Sequence, residues 1–228
     1  MDIQLKTGCF DDAALVRRVV FMDEQGYENE FDAIDEDQNC IHVTLYVDGE
    51  LAGCSRVFPE ELERVADAEA PVLPACDMDE GVAAGEAYIM GRVAVLPAMR
   101  RRGLASAIVE ASASCARDAG AKLIKLHAQE YVLPLYAKAG YTQIAPVDYE
   151  DEGQPHVWMA KRVDGRWGRS FSAGSWGHSL AIDALERSDI QFFDSVCIYA
   201  RYWVIKSKSE HSRSAMRLGQ PGRFCGRG

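Results

Sequence analysis

Val93-Ala94-Val95-Leu96-Pro97-Ala98-Met99-Arg100-Arg101-Arg102-Gly103-Leu104-Ala105-Ser106 is the stretch from which the fold can be read. Its first four residues are apolar on both faces, which predicts a strand in the middle of a sheet, and Pro97 stops it. Beyond Gly103, Leu104, Ala107, Ile108, Ala111 and Cys115 recur at helical spacing, and Gly120 is placed to close that helix. A strand, a short loop and a helix start bring backbone N–H groups and the positive end of the helix dipole to one spot. Gly103 and Ala105 leave room for a ligand to approach the backbone there, and three arginines add charge. The arrangement reads as a pyrophosphate cradle; it also reads as a surface arginine cluster ahead of an ordinary helix.

Working outward, Ile3-Gln4-Leu5-Lys6 alternates as a short strand. Leu15, Val16, Val19, Val20 and Met22 mark a helix that Asp11 or Asp12 can cap. A connection rich in Asp and Glu runs over 24–39. Strands are expected at 41–47 and 51–58, joined by an Asp48-Gly49 hairpin turn. The segment 59–86 is an acidic insertion with nine carboxylates and one base, Arg64, and one short helix at 60–68. The central strand covers 88–96. A strand at 122–126, a helix at 133–139 with Pro134 in its first turn, and strands at 141–145 and 156–161 complete the series. The order β-α-β-β-β-α-β-α-β-β is that of an α/β (α+β) domain with helices packed on a mixed sheet.

The composition, with 48% apolar and 26% charged residues, fits a soluble globular protein. The net charge of −10 is uneven: residues 1–163 carry 15 basic and 29 acidic side chains, and 164–228 carry 10 and 6. A first part at −14 argues against a nucleic-acid partner, because phosphate backbones need positive charge. It suits a cationic or amine-bearing small molecule, or solubility alone. The seven cysteines (Cys9, Cys40, Cys54, Cys76, Cys115, Cys197 and Cys225) contain no C-x-x-C pair, so neither a zinc site nor a disulfide framework is expected, and no metal. The N-terminus has no signal-peptide pattern, and 190–205 is too polar for a membrane span, so the expected location is cytoplasmic, away from membranes. From 164 the chain turns Gly-, Ser- and Arg-rich. It reads as a linker, an amphipathic helix containing Phe192, Phe193, Tyr199 and Trp203, and a disordered basic end; that helix is a candidate homodimer surface.

Arg100-x-x-Gly103-x-Ala105 resembles the R/Q-x-x-G-x-G/A signature of the GNAT superfamily of acetyl-CoA-dependent N-acetyltransferases. Five further segments agree in order. Val19-x-Phe21-x-x-Glu24-Gln25-Gly26, Gly91-Arg92-Val93-Ala94-Val95 and Leu126-x-Ala128-Gln129 resemble the ElaA-like or YjcF-like small bacterial subgroup. Leu135-Tyr136-x-x-x-Gly140-Tyr141 resembles the helix before the penultimate strand, and Tyr149-Glu150-x-x-Gly153-x-Pro155-His156-Val157-x-Met159 the closing element. The resemblance covers 1–163 and leaves 164–228 as an extension.

The resemblance implies a GNAT fold with a mixed, mostly antiparallel central sheet flanked by helices. It implies acetyl-CoA as acyl donor and direct transfer of the acetyl group to a primary amine of a small molecule or peptide. The strand at Val93, Ala94 and Val95 would splay from its neighbour and pair with the pantetheine arm. Backbone N–H groups at Arg101, Arg102, Gly103, Ala105 and Ser106, after Arg100, would hold the pyrophosphate, and Gln129 would contact the cofactor arm. Tyr136 falls where relatives place the acid that protonates the departing thiolate; on residue type alone it reads as a core aromatic. The 88–92 stretch lacks the carboxylate that some relatives use as base. Glu24, His156 and His42 are the candidates, beside water relayed to a carboxylate. A non-catalytic acyl-CoA-binding sensor is the alternative function.

Overall fold

Alternating and fully apolar segments pair into one seven-stranded sheet, in a computed structural model that describes residues 1–66, 73–149 and 153–165. The strands are β1 Ile3–Thr7, β2 Ile41–Val47, β3 Glu50–Pro59, β4 Ala87–Val95, β5 Leu123–Gln129, β6 Thr142–Gln143 and β7 His156–Arg162. The helices are α1 Phe10–Arg17, α2 Glu61–Ala66, α3 Leu104–Asp118 and α4 Leu133–Lys138. The order across the sheet is β1-β2-β3-β4-β5-β7-β6, with β4 and β5 parallel and every other neighbouring pair antiparallel. Asp48 and Gly49 both take positive φ (51° and 86°), giving the primed turn expected of an Asp-Gly hairpin. The linker, aromatic helix and basic end expected within 166–228 lie outside the described residues.

Side-chain alternation divides the sheet into two faces. On one, α3 and α4 cover Val57, Tyr88, Met90, Ile124, Leu126, Ala128, Val157 and Met159. On the other, Ala13, Val16 and Val20 of the first helical segment pack on Cys54 and Ala94. The buried stripe of α3 is Leu104, Ile108, Val109, Ser112, Ala113 and Ala116, rotated from the expected one; Ala107, Ala111 and Cys115 sit at its margin. Ser112 can occupy the stripe because its hydroxyl is satisfied, donating to Ile108 O (2.7 Å) and lying 2.5 Å from Ser55 Oγ.

The first helix departs further from expectation. It has no side-chain cap, and Asp12 instead accepts from the Tyr46 hydroxyl. After Arg17 it widens into a π-helical stretch, Arg18–Glu24, which shifts the phase of the apolar positions. Leu15 is 58% exposed and Val19 37%, while Arg17 is buried on the inner face.

The acidic insertion packs at the start of β4 and β5, where Met78 meets Ala87, Leu123 and Ala160. Three of its carboxylates serve that end of the sheet. Asp79 and Glu60 lie 2.7 and 3.4 Å from the buried Lys125 ammonium, and Glu86 is 2.6 Å from Lys122.

Candidate active site

β4 and β5 begin side by side and then part. They share only the pairs Ala87↔Leu123, Tyr88↔Ile124 and Ile89↔Lys125, although β4 runs on to Val95 and β5 to Gln129. Each stays with its outer neighbour: β4 with β3 as far as Gly53↔Val95, β5 with β7 as far as Gln129↔His156. The cause lies in β4. Between Cys54↔Ala94 and Arg56↔Gly91, Ser55 of β3 faces two residues of β4, a bulge in which Arg92 takes φ 55°. A left-handed non-glycine residue costs about 1–2 kcal/mol. Here the Arg92 guanidinium reaches Glu30 at 3.0 Å. The bulge turns β4 out of the plane of β5 and opens a V-shaped cleft whose β4 arm carries Val93, Ala94 and Val95.

The cradle segment follows that arm. Arg101 (φ 65°) and Gly103 (φ 74°) both adopt left-handed backbone, and Gly103 is the N-cap of α3 without any side-chain hydrogen bond to the helix start. Gly103 is exposed, and Ala105 and Ser106 are half-buried in the first turn. The N-terminal N–H groups of a 15-residue helix thus carry no side-chain cap. Arg101 and Arg102 are exposed around it, whereas Arg100 turns back: its Nε donates to Val95 O (3.0 Å), and its two terminal nitrogens hold the Glu24 carboxylate at 2.8 and 2.5 Å.

That pair ties the end of the first helical segment to the loop, and it engages both oxygens of one candidate base. Each of the other two candidates is a buried histidine with one ring nitrogen engaged. His156 is buried with Nδ1 3.0 Å from Gln154 O. His42 lies on β2, two strands from the cleft, with Nε2 3.0 Å from Asp35 O. Gln129, at the tip of β5, donates to the Tyr27 hydroxyl (2.7 Å) and to Gln25 Oε1 (3.3 Å), joining the β5 arm to the segment after α1.

Tyr136 of α4 is buried in the core on the α3 side, edge-on to Tyr141 with ring centroids 5.9 Å apart. Burial, with Tyr131 nearby, raises the pKa of its phenol well above the ordinary value, so the hydroxyl keeps its proton at neutral pH.

The opposite face of the cleft holds an arrangement that residue spacing did not reveal. Lys125, His127 and Gln129 alternate onto that face of β5. The His127 ring stacks on Trp158 of β7 (centroids 4.6 Å apart, planes 13° apart) and lies 4.9 Å from the His156 ring. Its Nε2 is 3.0 Å from each Asp148 oxygen. His127 is the unspecified position of Leu126-x-Ala128-Gln129, and Asp148 lies 21 residues away in the chain, so no local pattern joined them.

Three carboxylates of the 24–39 connection, Glu30, Asp32 and Asp35, are held by guanidinium groups. Arg17 donates to Glu30 Oε1 (2.7 Å), to Glu30 O (2.7 Å) and to both oxygens of Asp35 (2.5 and 2.9 Å). Arg56 donates to Asp32 (2.7 and 2.6 Å) and Asp35 (2.7 Å). With Arg92, three guanidinium groups balance three carboxylates. Burial alone would raise the Asp35 pKa, but the Arg17 hydrogen bonds and the Arg56 charge outweigh it and hold that pKa at about 2. Asp35, Cys40 and His42 place ligand-type atoms within 4.8 Å of one another. A cation there would have to displace both arginines and ionise a thiol whose pKa burial pushes up to about 12, so the residues do not fit a metal site.

The sequence pattern of the acetyltransferase (GNAT) family matches residues 8–141. The uncharacterized N-acetyltransferase YjcF of Bacillus subtilis is 29% identical over 152 residues, 66% of this chain and 90% of that protein. ElaA of Escherichia coli superposes with a TM-score of 0.54 at 20% identity, over 71% of this chain and 100% of that one. An acyl-CoA N-acyltransferase from Pseudomonas aeruginosa does so with a TM-score of 0.54 at 18% identity, over 70% and 98%. These two structures share the fold, a mixed sheet flanked by helices. With more than half of its residues inside the family pattern, and with a parted parallel strand pair leading into an uncapped helix start, the chain belongs to the acetyltransferase (GNAT) family.

Proposed function

We propose that this protein transfers an acetyl group directly from acetyl-CoA to the primary amine of a small molecule or peptide. The observation that carries the reading is the V between β4 and β5 opening beside the uncapped start of α3. An extended arm laid along Val93–Val95 finds a strand edge that β5 has left, while a pyrophosphate meets the N–H groups from Arg101 to Ser106. Arg101 and Arg102 add charge at the mouth, and Gln129 supplies an amide from the β5 arm. A strand N–H such as that of Val95 would polarise the thioester carbonyl as negative charge develops on its oxygen.

Tyr136 donates the proton that the departing thiolate takes up. Its burial favours the neutral phenol, the form able to do so. A positioned acid contributes about 10²–10⁴-fold to such a step. Thiol release from acetyl-CoA, followed with spermidine, glucosamine and a tetrapeptide bearing a free N-terminus, tests the reading. Tyr136→Phe is expected to lower kcat by about 100-fold while acetyl-CoA affinity, measured by calorimetry, stays within about twofold. Unchanged turnover removes the acid role. Acetyl-CoA binding without thiol release for any amine would favour the non-catalytic sensor instead.

A further inference from the structure

We infer that His127, oriented by Asp148, is the general base that takes the proton from the acceptor amine; this rests on the acetyl-transfer reading above. The argument begins with position. Ile89↔Lys125 is the last pair between β4 and β5, and His127 is the next residue of β5 on the same face as Lys125. It therefore stands where the two strands part, at the throat of the V.

The face matters as much as the place. Tyr136 belongs to the core beneath α3 and α4, the side on which the phosphate cradle opens. His127 belongs to the other side, with Lys125, Gln129, His156 and Trp158. A donor entering from the α3 side leaves the opposite side of the throat for the amine. The base then reaches the amine from one face of the sheet, and the acid reaches the departing thiolate from the other.

The chemistry follows from the partners. Both oxygens of Asp148 lie 3.0 Å from His127 Nε2, so the proton of the neutral imidazole sits on Nε2 and is donated to the carboxylate. Nδ1 is left with the lone pair. The carboxylate holds the tautomer and stabilises the imidazolium once a proton arrives. Trp158, stacked on the ring, and His156 beside it limit ring rotation. The side chain is 17% exposed, enough for an acceptor to reach it.

In the step itself, the amine nitrogen bonds to the thioester carbon and the carbonyl π electrons move onto oxygen; when this tetrahedral intermediate collapses, the carbonyl re-forms and the C–S bond breaks. The amine proton passes to His127 Nδ1, and the thiolate receives the Tyr136 proton. His127 then releases a proton to water and Tyr136 regains one, so the net products are the amide and the free thiol.

The test uses the full chain and whichever amine of the panel gives the fastest thiol release. His127→Asn and His127→Gln are expected to lower kcat by at least about 100-fold, with the KM for acetyl-CoA within about twofold. In His127→Ala, added imidazole is expected to restore at least about a tenth of the wild-type rate by supplying the missing base. Asp148→Asn is expected to lower kcat less than His127→Asn does. Calorimetric acetyl-CoA binding identifies variants that have kept the fold. A folded His127→Asn with kcat within about threefold of wild type overturns the inference, as does loss in His127→Ala that imidazole does not relieve. A wild-type protein that binds acetyl-CoA yet acetylates no amine overturns the function itself, and is told apart because it fails before any variant is made.

Discussion

Arg17 stands on the inner face of α1 where the apolar periodicity would place a hydrophobic residue, and its guanidinium carries four hydrogen bonds to Glu30 and Asp35. Removing one partner of a buried charged network leaves the others unpaired in a poorly solvated place, which costs about 3–5 kcal/mol. Arg17→Met is therefore expected to lower stability by about 3–5 kcal/mol, read as a drop in urea midpoint at unchanged slope. A loss under about 1 kcal/mol would show that Glu30 and Asp35 find other partners or water. The same arginine explains why this part of the chain was hard to read. A run such as Glu28, Glu30, Asp32, Asp35, Glu36 and Asp37 looks like a solvated acidic surface, because nothing local announces three arginines arriving from α1, β3 and β4. His127 escaped for a related reason: its partner Asp148 comes from the connection between β6 and β7.

At the scale of elements, the cleft depends on how closely β3, β4 and α3 approach one another. A Cβ on Gly53 would lie 2.6 Å from Ala94 O and 2.6 Å from Ile108 Cδ1, the first a backbone atom of the cleft arm. Gly53→Ala is expected to cost about 1–3 kcal/mol and to weaken acetyl-CoA binding several-fold, because the strain is relieved by moving Ala94. Gly91, also on β4 and next to the bulge, has nothing within 4 Å of such a Cβ. Gly91→Ala is expected to stay within about 0.5 kcal/mol of wild type. Thermal melts paired with calorimetry separate the two, and equal effects would contradict the close-approach argument. The elements themselves were largely legible, since the Asp-Gly turn, Pro97 and Gly120 mark ends that local chemistry decides. The bulge was not. It arises where β4 must stay paired with β3 while leaving β5, a demand of the whole sheet on Arg92.

For the molecule as a whole, the 35 acidic side chains overstate the free acidity, because several of these carboxylates are matched by lysines and arginines. Glu60, Asp79 and Glu86 face lysines at the closed end of the cleft, and Glu30, Asp32 and Asp35 face arginines from α1, β3 and β4. The matching sets the response to acid. Asp35 has its pKa lowered from 3.8 to about 2 by the partners that overcome its burial, so it binds protons less readily folded than unfolded. A depressed carboxyl contributes stability that is complete above the unfolded pKa and is lost as pH falls through the folded one. For Asp35 that window runs from about pH 4 down to about 2, and the contribution is about 2 kcal/mol. Asp32 and Asp79, also lowered, act in the same sense; Glu30, whose burial raises its pKa, works against them. Urea midpoints measured from neutral pH down to about pH 2 are expected to fall through this range. Asp35→Asn should be less stable than wild type at neutral pH, and the gap should narrow as acid protonates the wild-type carboxyl. A gap that stays constant with pH would mean that Asp35 contributes through packing and neutral hydrogen bonds, and that its charge is not what Arg17 and Arg56 hold.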